Sequence, residues 1–251
     1  MVWSIVRAGI ARCRRLAVWP PIGRVRFGSL QRTTPISRVF GLDRSKRERC
    51  LDIVFIERFL HRHRTDIRGH VLEIGDDRYT RAFGGSAVVQ GDVLHVQSGY
   101  AGVTIVADLT RADHLPSETF DCIICTQTLQ FIYDVHAAVK TLYRLLRPGG
   151  VLLMSGTGIS QISRYDMNRW GDYWRFTTAS ARRLLEECWP SKNVEVQAYG
   201  NVLLAIAYLH GLTLDEIDPA CLDQQDEDYQ MVITARAFKP DGAGTEEAGH
   251  L

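Results

Sequence analysis

Several features that mark other protein classes are missing from this chain of 251 residues. No apolar run is long enough to span a bilayer, so the sequence does not predict a transmembrane helix. No G-x-G-x-x-G follows a predicted strand, which argues against a nicotinamide-dependent oxidoreductase. The formal net charge is only +1. Because the predicted fold has no basic face, we do not expect nucleic acid as a partner.

A metal-ligand pattern is also missing, although the chain has six cysteines. Cys122 and Cys125 form a C-x-x-C inside FDCIIC, an apolar run that predicts a buried strand. Residues three apart in a strand point to opposite faces, so this pair is a poor metal or redox site. No second pair completes a zinc site. We therefore predict free thiols, no metal and a reducing compartment, the cytoplasm.

Acidic residues are absent from residues 1–42, which contain eight arginines. Three interpretations of this basic segment stay open: an amphipathic element that contacts a membrane surface or a partner protein, an Arg-rich transit peptide, or a solvated flexible tail. At the other end, residues 241–251 are small and polar and predict a disordered tail. The range 43–240 between them predicts the folded domain.

What the chain does contain is a regular alternation of strands and helices. The first helix is predicted within SKRERCLDIVFIERFLHRHRTDI, where apolar residues recur at helical spacing. The predicted strands are HVLEIG, SAVVQGDVLHV, VTIVADL, FDCIICTQTL, VLLMSG, VEVQAYG and YQMVITARAF. This order predicts an α/β fold, a doubly wound and mainly parallel sheet of seven strands in one domain. Ligands bind such sheets beyond the carboxyl ends of the strands.

Four of these segments resemble the class I S-adenosylmethionine-dependent methyltransferases, methyltransferase type 11-like. They are VLEIG, ADL, FDCIICTQTLQFI and LYRLLRPGGVLLM, and the resemblance covers about residues 67–240. It implies the Rossmann-like methyltransferase fold, methyl transfer, and S-adenosylmethionine as cofactor. That cofactor has cationic groups and no phosphate, which fits a loop where Asp76 and Asp77 replace the usual glycines. Alternatively, the two aspartates cap a helix.

The resemblance also implies a set of cofactor-binding residues: Glu73, Gly75, Asp92, Asp108, Leu109 and Gln127. Glu73 organises the first loop, and Gly75 lets the backbone approach the methionine moiety. Asp108 accepts a hydrogen bond from the adenine amino group. The ribose partner is Asp92 in one alignment, whereas the other alignment puts His95 or Gln97 there.

A second stretch of interest is residues 158–177, GISQISRYDMNRWGDYWRFT. Its aromatic and charged side chains suit a sugar-like or planar polar acceptor. The part DYWRFT resembles a run found in bacterial methyltransferases encoded with glycan-assembly genes, which implies a carbohydrate or glycolipid acceptor. We predict Tyr165, Tyr173 and Arg175 as substrate residues. The alternative is that the aromatic side chains only pack the loop.

Methyl transfer to oxygen often uses a base that takes the hydroxyl proton. Asp166 and His136 are the catalytic candidates, together with Arg175, and His114 is a weaker one. Positioning without a base is the other possibility. We therefore expect methyl transfer to a small-molecule or glycan-linked acceptor, at oxygen. The alternative function is a non-catalytic binding or scaffold protein with the same fold.

Overall fold

Residues 32–37 and 50–241 are described by the computed structural model. The chain divides into two compact units, residues 1–35 and 36–251, and the α/β domain belongs to the second. The predictions for most of the basic segment and for the tail after residue 241 fall outside the described residues. Among the described helices, none is both long and apolar enough to cross a membrane.

The sheet of the domain has seven strands, as the alternation predicted. They are β1 Gly69–Ile74, β2 Val88–His95, β3 Ile105–Val106, β4 Phe120–Thr126, β5 Leu146–Thr157, β6 Val194–Tyr199 and β7 Val232–Phe238. Their order across the sheet is β3-β2-β1-β4-β5-β7-β6. Strand β7 runs in the opposite direction to the other six strands, so its pairs with β5 and β6 are antiparallel. The doubly wound, mainly parallel prediction is therefore confirmed, and this topology is the Rossmann-like methyltransferase fold.

Within residues 50–241, five α-helices accompany the strands: α1 Leu51–Arg62, α2 Val135–Leu145, α3 Arg164–Met167, α4 Thr178–Leu185 and α5 Val202–Leu209. A π-helical turn covers Thr80–Gly84. Short 3-10 turns lie at Arg64–Asp66, Gly85–Ala87, Leu129–Phe131, Ser191–Asn193, Leu214–Glu216 and Pro219–Asp223. Side-chain caps fix several helix starts, because the first N–H groups of a helix have no partner inside it. Asp134 caps α2, and Thr177 with Ser180 forms a capping box on α4.

Two hydrophobic cores lie on opposite faces of the sheet, and β4 separates them. Ile123 and Cys125 belong to the core beneath α2 and α4, whereas Cys122 and Ile124 belong to the core beneath α1. Both cysteines are fully buried, and burial raises the pKa of each thiol far above its ordinary value. The C-x-x-C therefore consists of two protonated core residues that point in opposite directions.

The start of β5 differs in detail from the prediction. The predicted strand VLLMSG begins at Val151, but the strand pairing begins at Leu146. The register then shifts before Val151. Gly149 has φ +77°, and a side chain on Gly150 would meet the Phe120 carbonyl oxygen at 3.1 Å. The two glycines thus form an irregularity within the strand.

Candidate active site

The carboxyl ends of the parallel strands meet at one edge of the sheet, and Gly75 lies directly after β1 at this edge. Its φ is +100°, a conformation that glycine adopts without strain. The Gly75 amide donates to the Leu94 carbonyl of β2 at 2.9 Å. A Cβ atom built on Gly75 would have no neighbour within 4 Å. The backbone is therefore open to a ligand at this point.

Glu73 fixes the loop that follows. Its carboxylate is 1% exposed and accepts hydrogen bonds from the Tyr79 amide, the Thr80 amide and the Thr80 hydroxyl, at 2.7–3.0 Å. Burial raises the pKa of Glu73 to about 7, although these hydrogen bonds favour the charged form. Glu73 is thus a buried anchor that joins β1 to the π-helical turn.

The two aspartates of the loop have local partners. Asp76 Oδ1 accepts from the Arg78 amide at 3.1 Å, which closes a short side-chain turn. Asp77 forms an exposed ion pair with Arg81 at 2.8 Å. These contacts agree with the capping alternative more than with a direct role in binding.

Asp92 does not lie at the carboxyl edge of the sheet. It pairs with Leu72 in the middle of β1, whereas the edge is reached at the pair of Ile74 with Leu94. Its carboxylate accepts from Thr104 Oγ1 at 2.7 Å and contacts His70 Nε2 at 2.6 Å. Burial alone would raise the pKa of Asp92, but these hydrogen bonds lower it. The structure therefore separates Asp92 from the other predicted cofactor residues.

The residues that do occupy the end of β2 are those of the other alignment. His95 is the last residue of the strand, and its Nδ1 lies 2.9 Å from the Gln97 amide nitrogen. The His95 ring packs 4.0 Å from the ring of Tyr100. An imidazole and a phenol ring thus stand where the first alignment expected a carboxylate.

Beyond β3, Asp108 is exposed and Leu109 is not. Asp108 Oδ1 accepts from the amide and the hydroxyl of Thr110, which orients the carboxylate. Leu109 is 3% exposed and packs in the core beneath α2. Leu109 is therefore a core residue and not an open wall of the cleft.

Gln127 follows β4 with an unusual backbone for a residue other than glycine, φ +47°. Its Oε1 accepts from Thr157 Oγ1 at 2.6 Å and from Gln130 Nε2 at 2.8 Å. Two amide atoms, Gln127 Nε2 and Gln130 Oε1, are buried and lack a hydrogen-bond partner within the described residues. A buried donor and a buried acceptor thus remain available beside the ends of β4 and β5.

The stretch of residues 158–177, here called the strap, leaves β5 and returns to α4. Its ends meet, because the Phe176 amide donates to the Thr157 carbonyl at 2.8 Å. Near the return, the Tyr173 and Trp174 amides donate to the Gln130 carbonyl. This proximal part of the strap, residues 172–176, is therefore attached to the segment after β4.

Arg175 holds the strap together. Its guanidinium contacts both carboxylate oxygens of Asp172 and also donates to the Gln161 carbonyl at 2.9 Å. Asp172 is buried, with its side chain 2% exposed, and also accepts from the Ser163 amide at 3.0 Å. Arg175 is thus bound internally, and its predicted roles in catalysis and substrate binding stay predictions.

Asp166 is also occupied. Its Oδ2 accepts from the Ser163 hydroxyl at 2.6 Å and its Oδ1 from the Trp170 indole N–H at 3.0 Å. Trp170 lies edge-on to His95, with ring centroids 5.6 Å apart. Asp166 therefore positions Trp170 within the distal part of the strap, residues 163–171, instead of facing an acceptor as a base.

An exposed aromatic group lies on the proximal part of the strap. Tyr133, after β4, is 71% exposed and packs against Tyr173 and Trp174, with centroid distances of 5.4 and 6.0 Å. The Trp174 indole is fixed by a hydrogen bond to the Ile132 carbonyl. Tyr165 lies apart from this group, beneath the Arg169 guanidinium at 3.4 Å.

The histidine candidates are not brought to the site. His136 is largely exposed and forms an ion pair with Glu187 at 2.9 Å. His114 is exposed in the segment before β4. Among residues 32–37 and 50–241, no group of three or more potential ligands could hold a metal ion.

A separate cleft at the opposite edge of the sheet does not compete for this role. It is lined by residues before β1 and at the start of β4, including Asp66, Arg68 and Asp121. Its acids are already paired, Asp66 with Arg236 and Asp121 with Arg147. In parallel sheets, ligands bind at the carboxyl edge, which is the other one.

Sequence reasoning missed three residues that shape the carboxyl edge: Tyr133, Gln130 and Trp170. The density of aromatic residues in the strap marked the region, but it could not show which ring reaches β2. Gln130 lies near the end of the motif FDCIICTQTLQFI, and Tyr133 follows it directly. Residues that follow a strand end face the site, so this position was a weak signal for both.

Known proteins with a similar sequence support the same domain type. Residues 63–154 match the family described as methyltransferase domain. Over 91 residues the chain is 35% identical to the ubiquinone/menaquinone biosynthesis C-methyltransferase UbiE of Haemophilus ducreyi. That match covers 36% of this chain and 29% of the relative, so the chain spans under a third of the relative's length.

Solved structures show the same fold. A SAM-dependent methyltransferase from Archaeoglobus fulgidus superposes with a TM-score of 0.53 at 9% identity, over 81% of this chain and all of that one. The 4+2 cyclase SpnF gives 0.50 at 16% identity, over 75% and 82%. Residues 63–154 thus match a methyltransferase domain, and the described domain has the Rossmann-like fold of these solved structures.

Proposed function

We propose that the protein transfers the methyl group of S-adenosylmethionine to an oxygen of a small-molecule or glycan-linked acceptor. The observation that carries this proposal is a juxtaposition at one sheet edge. The open backbone at Gly75 and the exposed aromatic group of Tyr133, Tyr173 and Trp174 both lie beyond the carboxyl ends of parallel strands. A cosubstrate cleft and an acceptor surface can therefore face each other there.

The cosubstrate supplies an electrophilic methyl group, and the residues present fit its other parts. Gly75 leaves space for the methionine moiety, and Asp108 presents an exposed carboxylate to the adenine amino group. The ribose position falls to His95 or Gln97, because Asp92 lies back in the strand. Gln127 adds a buried amide donor without a partner in the described residues.

The acceptor side is proposed at the proximal part of the strap. Sugar rings and other planar polar rings pack on exposed aromatic faces, and Tyr133 offers such a face. Its packing against Tyr173 and Trp174 holds that face in place. Tyr165 is a weaker candidate, since Arg169 covers its ring.

The chemistry is proposed to depend on in-line placement of the acceptor oxygen. Asp166 is not retained as the base, because both of its carboxylate oxygens accept hydrogen bonds within the strap. The fold by itself does not determine the reaction, since SpnF is a cyclase. A non-catalytic binding protein is therefore the outcome to test against.

Two further proposals concern the setting of the protein. Cys122, Cys125, Cys188 and Cys221 are free thiols, which supports a reducing compartment such as the cytoplasm. The eight arginines of residues 1–42 support contact with a membrane surface or a protein partner.

The test combines calorimetry with a transfer assay. S-adenosylmethionine and S-adenosylhomocysteine are titrated into the full chain, and transfer of a labelled methyl group is measured with a panel of glycosides and phenols. Tyr133→Ala should raise the acceptor KM and leave cosubstrate binding unchanged. Tyr133→Phe should keep the acceptor KM and the cosubstrate Kd of wild type. No binding at millimolar ligand contradicts the proposal. Binding without transfer to any hydroxylated acceptor favours the non-catalytic alternative.

A further inference from the structure

We propose that Trp170, together with His95 and Tyr100, forms a wall of the cosubstrate cleft and contacts the ribose and purine end of S-adenosylmethionine. This inference rests on the proposed function and goes beyond it by dividing the strap into two sites. The proximal part serves the acceptor and the distal part serves the cosubstrate. The sequence had assigned the whole strap to the acceptor.

The strap crosses several strands of the sheet. The strap begins at the end of β5, yet Trp170 packs on His95 at the end of β2. Strands β4 and β1 lie between them in the sheet. At about 4.8 Å per strand, the strap crosses about 14 Å of the carboxyl edge. It must therefore pass the ends of β4 and β1, where Gln127 and Gly75 lie.

The bound cosubstrate would cross the same edge of the sheet between its two ends. Its methionine end lies at Gly75 after β1, and its adenine end at Asp108 after β3. Strand β2 lies between β1 and β3. A ligand that joins these two points therefore passes the end of β2, where the His95 and Tyr100 rings lie 4.0 Å apart. Trp170 contacts the same imidazole.

Hydrogen bonds within the strap hold the Trp170 ring in this place. Asp166 Oδ1 accepts from the indole N–H, and the Asp166 carbonyl accepts from the Trp170 amide at 2.9 Å. Immediately after Trp170 the chain turns at Gly171, which has φ +92°. A side chain on Gly171 would collide with the Tyr173 ring at 2.3 Å. The local structure thus directs one ring toward β2 and the next rings toward the acceptor side.

The two tryptophans of the strap provide a matched pair for the experiment. Trp170→Ala, Trp170→Phe and Trp174→Ala are prepared in the full chain, and the Kd of S-adenosylhomocysteine is measured by calorimetry. Loss of an aromatic stacking partner of a base weakens binding by about tenfold or more, so Trp170→Ala should raise Kd by about that factor. Trp170→Phe should stay within about threefold of wild type, because it keeps a ring. Trp174→Ala should leave this Kd unchanged.

The melting temperature of each variant separates binding from folding. If Trp170→Ala does not fold, Asp166→Ala takes its place, since it removes the hydrogen bond that positions the indole and should also raise Kd. A wild-type Kd in folded Trp170→Ala, or an equal loss in Trp174→Ala, overturns the inference while the proposed function stands. If wild type itself does not bind S-adenosylhomocysteine, the proposed function fails and this inference fails with it.

Discussion

Replacement of Glu73 by glutamine is the most informative test of how the cleft is built. The carboxylate of Glu73 is 1% exposed and accepts three hydrogen bonds, two of them at one oxygen. An amide has a single acceptor oxygen, and its NH2 group cannot accept from an N–H. At least one donor of Tyr79 or Thr80 is therefore left buried without a partner. The expected loss of unfolding free energy is about 1–3 kcal/mol.

The same substitution should change the pH dependence of stability. The pKa of Glu73 is raised from 4.5 in the unfolded chain to about 7 in the folded protein. The folded state thus binds the proton more tightly, so this stabilising contribution is complete below pH 4.5 and is lost as the pH rises through 7. This rise in the pKa corresponds to about 3 kcal/mol of unfolding free energy. Glutamine does not titrate, so Glu73→Gln should lack this slope.

Urea unfolding of wild type and Glu73→Gln at several pH values between 5 and 8 measures both effects. Other titrating groups contribute equally to the two proteins, so the difference between their stabilities isolates Glu73. We expect the free energy of unfolding of wild type to fall relative to that of Glu73→Gln as the pH rises. Parallel curves would refute the reasoning, because they would mean that the three hydrogen bonds outweigh burial and keep the carboxylate ionised throughout.

Three further substitutions test the site, and a fourth serves as a control. Gly75→Ala should cost about 1–3 kcal/mol from its φ of +100° and weaken cosubstrate binding. The control Gly85→Ala, at φ +55° with equally open space before β2, should also lower stability but leave the calorimetric Kd unchanged. Asp92→Ala should lower stability in urea because it removes the partner of His70, but a weakened Kd would restore Asp92 as the ribose residue. Arg175→Ala should lower stability by up to about 3 kcal/mol, since buried Asp172 loses its guanidinium, and an unchanged Tm would contradict this.

Most of the fold was predictable because its signals are local. The apolar run of β4 and the helical spacing of α1 are properties of short segments, and each element was found close to its predicted place. The positions of Gly75 and Glu73 at the end of β1 follow from the same signal. Once a strand is predicted, the position of its last residues at the edge of the sheet is predicted with it.

The remaining site residues depend on contacts that sequence does not show. Whether Asp92 or His95 reaches the edge is decided by the register of β2 against β1, a pairing between residues about twenty positions apart. The roles of Asp166 and Arg175 depend on the partners that the folded strap gives them. Aspartate and arginine both suit an acceptor site. Here the Asp166 oxygens and the Arg175 nitrogens form hydrogen bonds within the strap.

Asp172 connects the two parts of the strap and thereby couples the two proposed sites. Asp172 accepts from the Ser163 amide in the distal part and pairs with Arg175 in the proximal part. A ligand that packs on Trp170 and reduces the remaining motion of the strap therefore also restricts the segment that carries Tyr173. The conformational entropy lost on binding the first ligand is then not lost again on binding the second. Linkage requires the effect to be mutual, so acceptor binding should tighten cosubstrate binding by the same factor.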